Sequence, residues 1–209
     1  MATKPFPMFP LQSVLFPNAP LPLHVFEPRY RALTDDCLAG DGRFGVVLIE
    51  RGREVGGGDS RFSVGTVARI VEAARTPDGR YLLATLGHER LRVKKWLPDG
   101  PYPRAEIEIV PEPKRVDARA HEQRLAISEL LARVLDLWSQ LDPRAPGADA
   151  AQLDLDPLRA SYEAAARSPI GPLDAQRLLE LDDPCDRFAE LEAMLTEEAE
   201  VMQFRLAGD

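Results

Sequence analysis

Apolar and polar positions alternate in some stretches of the chain and recur every three or four residues in others, and the changeover divides the sequence in two. In the first half, residues 62–73 (FSVGTVARIVEA) and 81–96 (YLLATLGHERLRVKKW) are rich in branched side chains with partial period-two alternation, which predicts two strands. Thr76-Pro77-Asp78-Gly79 joins them as a turn whose glycine tolerates positive φ, so the pair reads as a hairpin. Residues 44–50 (FGVVLIE) form an apolar run of strand length, and 105–110 (AEIEIV) alternates so that Ile107 and Ile109 share a face. One helix is expected between Phe26 and Gly40: Pro28 suits a first turn, Tyr30, Leu33 and Cys37 or Leu38 share a side, and Gly40 suits a left-handed stop.

The second half has helical spacing. Ile127, Leu130, Leu131, Val134, Leu137, Trp138 and Leu141 form one stripe within residues 115–141. Residues 156–167 and 172–181 read as shorter helices separated by Ser168-Pro169-Ile170-Gly171. Asp183-Pro184 then opens a last helix with Asp186 in its first turn and Phe188, Leu191, Leu195 and Met202 along one side. Pro111-Glu112-Pro113 closes the alternating region, which sets two domains, 1–113 and 114–209. Charge divides in the same place. Residues 1–114 carry 16 Lys and Arg against 14 Asp and Glu, whereas 115–209 carry 10 against 20, giving the net charge of -8.

At 209 residues, 44% apolar, 29% charged and with a mean hydropathy of -0.24, the chain has the profile of a soluble globular protein. Cys37 and Cys185 belong to no CxxC pair or Cys/His cluster, so they read as isolated thiols in a reducing cytoplasm. Residues 5–26 contain no charged side chain. The prolines at 5, 7, 10, 17, 20 and 22 nevertheless exclude a membrane helix, each costing about 3 kcal/mol in a helix interior, and predict short extended pieces. No GxxxxGK[ST] occurs, which argues against nucleotide hydrolysis.

Candidate chemistry is sparse. His24, His88 and His121 have no partner at a meaningful spacing, and no serine lies in a GxSxG elbow, so no catalytic residue is assigned. Asp149, Asp154 and Asp156 read as helix-capping carboxylates rather than a cation site, and no metal or cofactor is expected. The Gly-rich residues 51–61 read first as a surface connection. They also admit a ligand loop with Glu54 and Asp59 as acceptors and glycine amides as donors, and through it an enzyme of unknown reaction. Arg90, Arg92 and Lys94 would share one side of a strand, compatible with phosphate contact, although a sequence pI near 5.0 disfavours nucleic acid.

Phe9-Pro10-Leu11, Val14-Leu15-Phe16-Pro17 and the run from Leu21 to Tyr30 (LPLHVFEPRY) closely resemble the opening of the Lon protease N-terminal, or substrate-binding, domain family. Val64-Gly65-Thr66-Val67-Ala68-Arg69-Ile70, Asp78-Gly79-Arg80-Tyr81 and Glu89-Arg90-Leu91-Arg92-Val93 are similar to its central hairpin, in order, over residues 9–110. The resemblance implies an α+β fold, a PUA-like β-pseudobarrel with one packed helix followed by a C-terminal helical bundle. It also implies recognition of polypeptide segments or a partner protein. The sequence resembles the stand-alone bacterial form without ATPase or peptidase domains, so a non-catalytic binding module, acting as an adaptor in proteolysis or protein quality control, is the leading expectation. A nucleic-acid-binding PUA-like protein is the alternative. Prolines that interrupt pairing beside apolar side chains would leave an unpaired rim to which a peptide adds as a strand. The expected peptide-binding residues are therefore Phe9, Phe16, Leu21, Leu23 and Phe26, with Glu54 and Asp59 from the loop.

Overall fold

A computed structural model describes residues 5–52, 60–98 and 100–208, and the chain separates into two compact units, Met1–Pro111 and Glu112–Asp209. In the first, strands β1 (Phe6–Leu11) and β2 (Pro20–Val25) precede helix α1 (Pro28–Ala39). Strands β3 (Arg43–Arg51), β4 (Ser60–Arg75), β5 (Tyr81–Trp96) and β6 (Arg104–Ile109) follow. The ladder runs β2-β5-β4-β3-β1-β6, and β6 also pairs with β5. Strand β5 is long enough to serve both neighbours: residues 81–86 pair with β2, and residues 91–96 with β6. Strands β5, β4, β3, β1 and β6 thus form a closed ring, with β2 added along the first half of β5.

The hairpin forms as its sequence predicts, with Gly79 at φ +80° in the turn. Helix α1 starts at Pro28, but its left-handed stop is Gly42 (φ +72°) rather than Gly40 (φ -108°); the Gly42 N–H donates to Cys37 O, which closes the turn two residues later.

Strand β1 corrects the expectation of an unpaired rim, since it lies inside the sheet. Phe6 and Pro7 pair with β6, and residues 8–11 run parallel to β3. Splitting the partners lengthwise means that neither neighbour needs a donor at every position, so two prolines are tolerated. Its side chains alternate between two cores. Phe9 stacks on Tyr30 at 3.9 Å and joins Leu33, Phe44, Val46 and Leu83 under α1, while Met8 packs with Val47, Val67, Leu91 and Ala105. Helix α1 is pinned by two phenols, Tyr81 Oη donating to Asp35 at 2.5 Å and Tyr102 Oη to Asp36 at 2.6 Å.

The second unit contains α2 (Arg119–Leu141), a 3-10 turn (Ala148–Ala151), α3 (Pro157–Arg167), α4 (Pro172–Glu180) and α5 (Pro184–Gly208). Helix α2 buries Ile127, Leu131, Val134 and Leu135, and α5 buries Phe188, Leu191, Leu195, Ala199 and Met202. Asp156 caps α3 by accepting from Leu158 N, and Asp183 accepts from Cys185 N at the start of α5. The fully buried Arg187 ties three helices together. Its guanidinium donates to Leu178 O at 3.0 Å, Ser161 Oγ at 2.7 Å, Tyr162 Oη at 3.2 Å and Leu181 O. Two of those acceptors are carbonyls at the C-terminal end of α4, where a helix has no donors of its own to offer.

Candidate functional site

In the first half of β5, Tyr81, Leu83 and Thr85 are buried while Leu82, Ala84 and Leu86 are exposed. An antiparallel sheet with one solvated face ordinarily places polar side chains there. Here the alternation is strict in burial but not in chemistry, because both faces are apolar. The register extends this across three strands: Pro20 opposes Leu86, Pro22 opposes Ala84 and His24 opposes Leu82 on β2, while Glu72 and Ala74 oppose Ala84 and Leu82 on β4. A register shift between Ile70 and Glu72 inserts Val71, which is 70% exposed. Phe26, 51% exposed, lies with its ring centroid 6.0 Å from that of His24.

A shallow groove of about 440 Å³ runs over this face, lined by Pro22, Leu23, His24, Glu72, Ala74 and the β5 residues 82–84. Exposed apolar side chains gathered on one sheet face make it a candidate interaction surface. Its edge is not suited to strand addition. Gly87 N donates to Ala19 O, so odd-numbered carbonyls of this segment face β5 and even-numbered positions face outward. Pro20 and Pro22 have no N–H, leaving His24 as the outward donor of β2.

The residues expected from sequence divide accordingly. Phe9 and Phe16 are core residues, 7% and 3% exposed, and the expectation that they form a rim is corrected: tertiary packing under α1 claims Phe9. The segment carrying Phe16 is held tightly against β5, since Gly87 lies so close to Phe16 O that a Cβ would approach to 2.2 Å. Leu21 and Leu23 are half-buried and pack against the core beneath the groove, and Phe26 joins its exposed end. Glu54 and Asp59 lie outside the described residues. Sequence reasoning missed Leu82, Ala84, Leu86 and Val71; the non-alternating run Tyr81-Leu82-Leu83-Ala84 shows that both faces of the strand are apolar but not which of them is covered.

The basic patch is also corrected. Arg90 is 1% exposed. His88 and Glu89 together oppose Val67, an extra residue that switches the alternation and turns Arg90 to the covered side with Gly87. Arg92 and Lys94 share one carboxylate, Glu108, at 3.7 and 3.0 Å, so with Arg90 buried the strand presents a partly compensated pair rather than a row of three cations. His88 lies 3.6 Å from Glu89. Burial, reinforced by Asp41 and Asp36, pushes the Cys37 thiol up to about 12, and burial also raises that of Cys185, so neither is a thiolate nucleophile at neutral pH. Among the described residues no group of three or more His, Cys, Asp or Glu side chains could hold a metal ion, and no helix is long and apolar enough to cross a membrane.

A family model described as the ATP-dependent protease La (LON) substrate-binding domain matches residues 5–197. The chain is 32% identical over 211 residues to Lon protease 2 of Sorangium cellulosum, covering 95% of this chain and 25% of that protein. It is 29% identical over 209 residues to Lon protease 2 of Herpetosiphon aurantiacus, covering 96% of this chain and 25% of that protein. It therefore spans about a quarter of the length of these curated relatives. Among solved structures, a Lon N-terminal domain protein from Xanthomonas campestris aligns with a TM-score of 0.63 at 28% identity, covering 91% of this chain and 98% of that one. The N-terminal domain of Lon protease from the Mycobacterium avium complex aligns at 0.69 and 18% identity, covering 92% and 98%, a likeness of fold.

Proposed function

From the premise that the chain belongs to the Lon substrate-binding domain family, we propose that it is a non-catalytic module that binds polypeptide segments through the exposed apolar face of β2, β5 and β4. The observation that carries this reading is the row of solvent-facing Leu82, Ala84 and Leu86 beside Pro20, Pro22 and the exposed Phe26. Leu21 and Leu23 support the groove from below rather than meeting the ligand with their full surface. Because the free edge of β2 lacks two donors, the segment is read by its apolar side chains lying across the face, not by backbone pairing.

Within the same reading, the closed ring with α1 is a PUA-like pseudobarrel, the helices that follow are a bundle, and residues 1–113 and 114–209 act as separate domains. The protein works in the cytoplasm, as an adaptor that presents captured segments to a protease or chaperone, and needs no cofactor. Each client side chain buried in the groove gains about 1.5–3 kcal/mol, so two or three engaged side chains, with ordering costs set against them, leave about 4–6 kcal/mol, a Kd of about 0.1–1 mM. Titration of a fluorescent Leu- and Phe-rich peptide should saturate in that range, and Leu82→Asp should weaken it at least about tenfold, a change of 1.4 kcal/mol. Equal affinity for the parent and Leu82→Asp would dispose of the reading.

A further inference from the structure

The second unit carries a groove of different character, formed between its helices and the connection at residues 168–170. Two adjoining hollows of about 580 and 300 Å³ share Ile170 and Glu198. They follow α5 along residues 190–205, roughly 22 Å at 1.5 Å per residue. The floor is apolar: Trp138 and Leu141 at the end of α2, Ile170, and Met194 and Met202 of α5. Methionine is unbranched and polarisable, and surfaces built on it accept helices of varied sequence.

The rim is acidic. The hollows are lined by five carboxylates, Asp142, Asp174, Glu190, Glu197 and Glu198, against two guanidinium groups, Arg177 and Arg205. Arg177 is already engaged by Asp174 and Glu190, and Asp142 by Arg144. The side chains of Glu197 and Glu198 make no ion pair or hydrogen bond among the described residues. The surrounding chain has the same sign, with 20 acidic against 10 basic residues over positions 115–209.

We infer that this groove binds a cationic amphipathic helix of about four turns, with its apolar side on Met194, Ile170, Trp138 and Met202 and its Lys or Arg side chains on Glu197 and Glu198. An extended segment is the poorer occupant. The walls are helices and the connection at residues 168–170, with no strand edge to pair with, so an extended segment's backbone donors gain no partner over the apolar floor, whereas a helix satisfies them internally. The proposal is independent of the β-sheet face, since it uses other residues and selects by charge.

The test uses the full chain and two fluorescent sixteen-residue probes with the same leucines at helical spacing, one with lysine and one with glutamate elsewhere. With Leu82→Asp disabling the sheet face, the lysine probe should bind and the glutamate probe should not. Glu197→Lys with Glu198→Lys should weaken the lysine probe at least about tenfold, as should raising ionic strength from about 0.05 to about 0.5 M. Both substitutions lie on α5 at positions that α5 does not bury, and circular dichroism establishes that the helices persist. Trp138→Ala gives a second, uncharged variant that should also weaken binding. Equal binding of both probes, retention of the lysine probe by the double variant, or its loss on Leu82→Asp instead would each overturn the assignment. So would a concentration-dependent dimer abolished by the charge reversal, which would make a second copy of the chain the occupant.

Discussion

Replacing Arg187 tests whether a buried guanidinium is what holds the C-terminal end of α4 to α5. In Arg187→Ala, Ser161 Oγ and Tyr162 Oη keep other partners, Leu158 O and Glu112, whereas the carbonyls of Leu178 and Leu181 lose the guanidinium as donor. Each buried hydrogen bond to a charged donor contributes about 1.5–3 kcal/mol, and the emptied volume beside Tyr162 adds a cavity term. The sum is about 4 kcal/mol, a large part of the 5–15 kcal/mol typical of a folded domain. Arg187→Met fills much of the volume without restoring donors and should recover only the cavity share, while Arg187→Lys keeps the charge but not the planar fork and should fall between. Urea unfolding followed by Trp138 fluorescence, in a Trp96→Phe background, reads this unit. At a slope of roughly 1.5 kcal/mol per molar, the alanine midpoint should move down by about 2.5 M. The opposing effect is desolvation, since exchanging buried charge for well-packed apolar groups is sometimes neutral. If Arg187→Met is as stable as the parent, the hydrogen bonds only offset the cost of burying the charge, and the reasoning fails.

Gly65→Ala should destabilise the first unit by about 3 kcal/mol or more, because its Cβ would lie 2.1 Å from the Val46 carbonyl oxygen of the paired strand. Gly171→Ala, whose nearest neighbour is Asp174 Oδ2 at 3.7 Å, should cost under about 1 kcal/mol in the same thermal melt; similar losses for the two would contradict the close approach of β3 and β4. The raised thiol of Cys37 predicts a pH dependence. Its unfolded form ionises near about 8.5 and its folded form near about 12, so its contribution is complete below the first value and declines as pH rises towards the second. Tyr81 and Tyr102, raised respectively by hydrogen bonding to Asp35 and by burial, add loss of the same sign at higher pH. Urea midpoints should hold to about pH 8.5 and then fall, less steeply in Cys37→Ala. A flat profile to about pH 11, or rapid labelling of Cys37 in the native protein, would contradict this.

Local pattern carried the hairpin, α1 and the long helices, because period-two and period-3.6 burial are written in neighbouring residues, the helix starts in Pro28 and Asp183, and the turn in Gly79. What escaped depended on partners distant in sequence. Nothing near Pro7 and Pro10 reveals that β1 is flanked by β6 at one end and β3 at the other, so its prolines pointed to an exposed rim and Phe9 to a ligand contact. Arg90 read as solvent-facing because the extra residue at His88 and Glu89 is visible only in the register with β4. The apolar outer face was present in the string Tyr81-Leu82-Leu83-Ala84, but a run without alternation is equally the mark of a strand buried on both sides. Which face of β5 is covered is decided by tertiary packing: Tyr81 and Leu83 meet the core under α1, and Leu82 and Leu86 on the opposite face stay exposed.

On the proposed reading a polypeptide lies across the outer face of β2, β5 and β4. A Leu- and Phe-rich peptide carrying a photoreactive benzophenone at its centre, bound to the full chain, irradiated and mapped by mass spectrometry, shows where it lies. Cross-links should fall on residues 20–26, 71–74 and 82–86, and a competing unlabelled peptide should abolish them. Cross-links confined to residues 90–96 or to the helical unit, with none on those three segments, would contradict it.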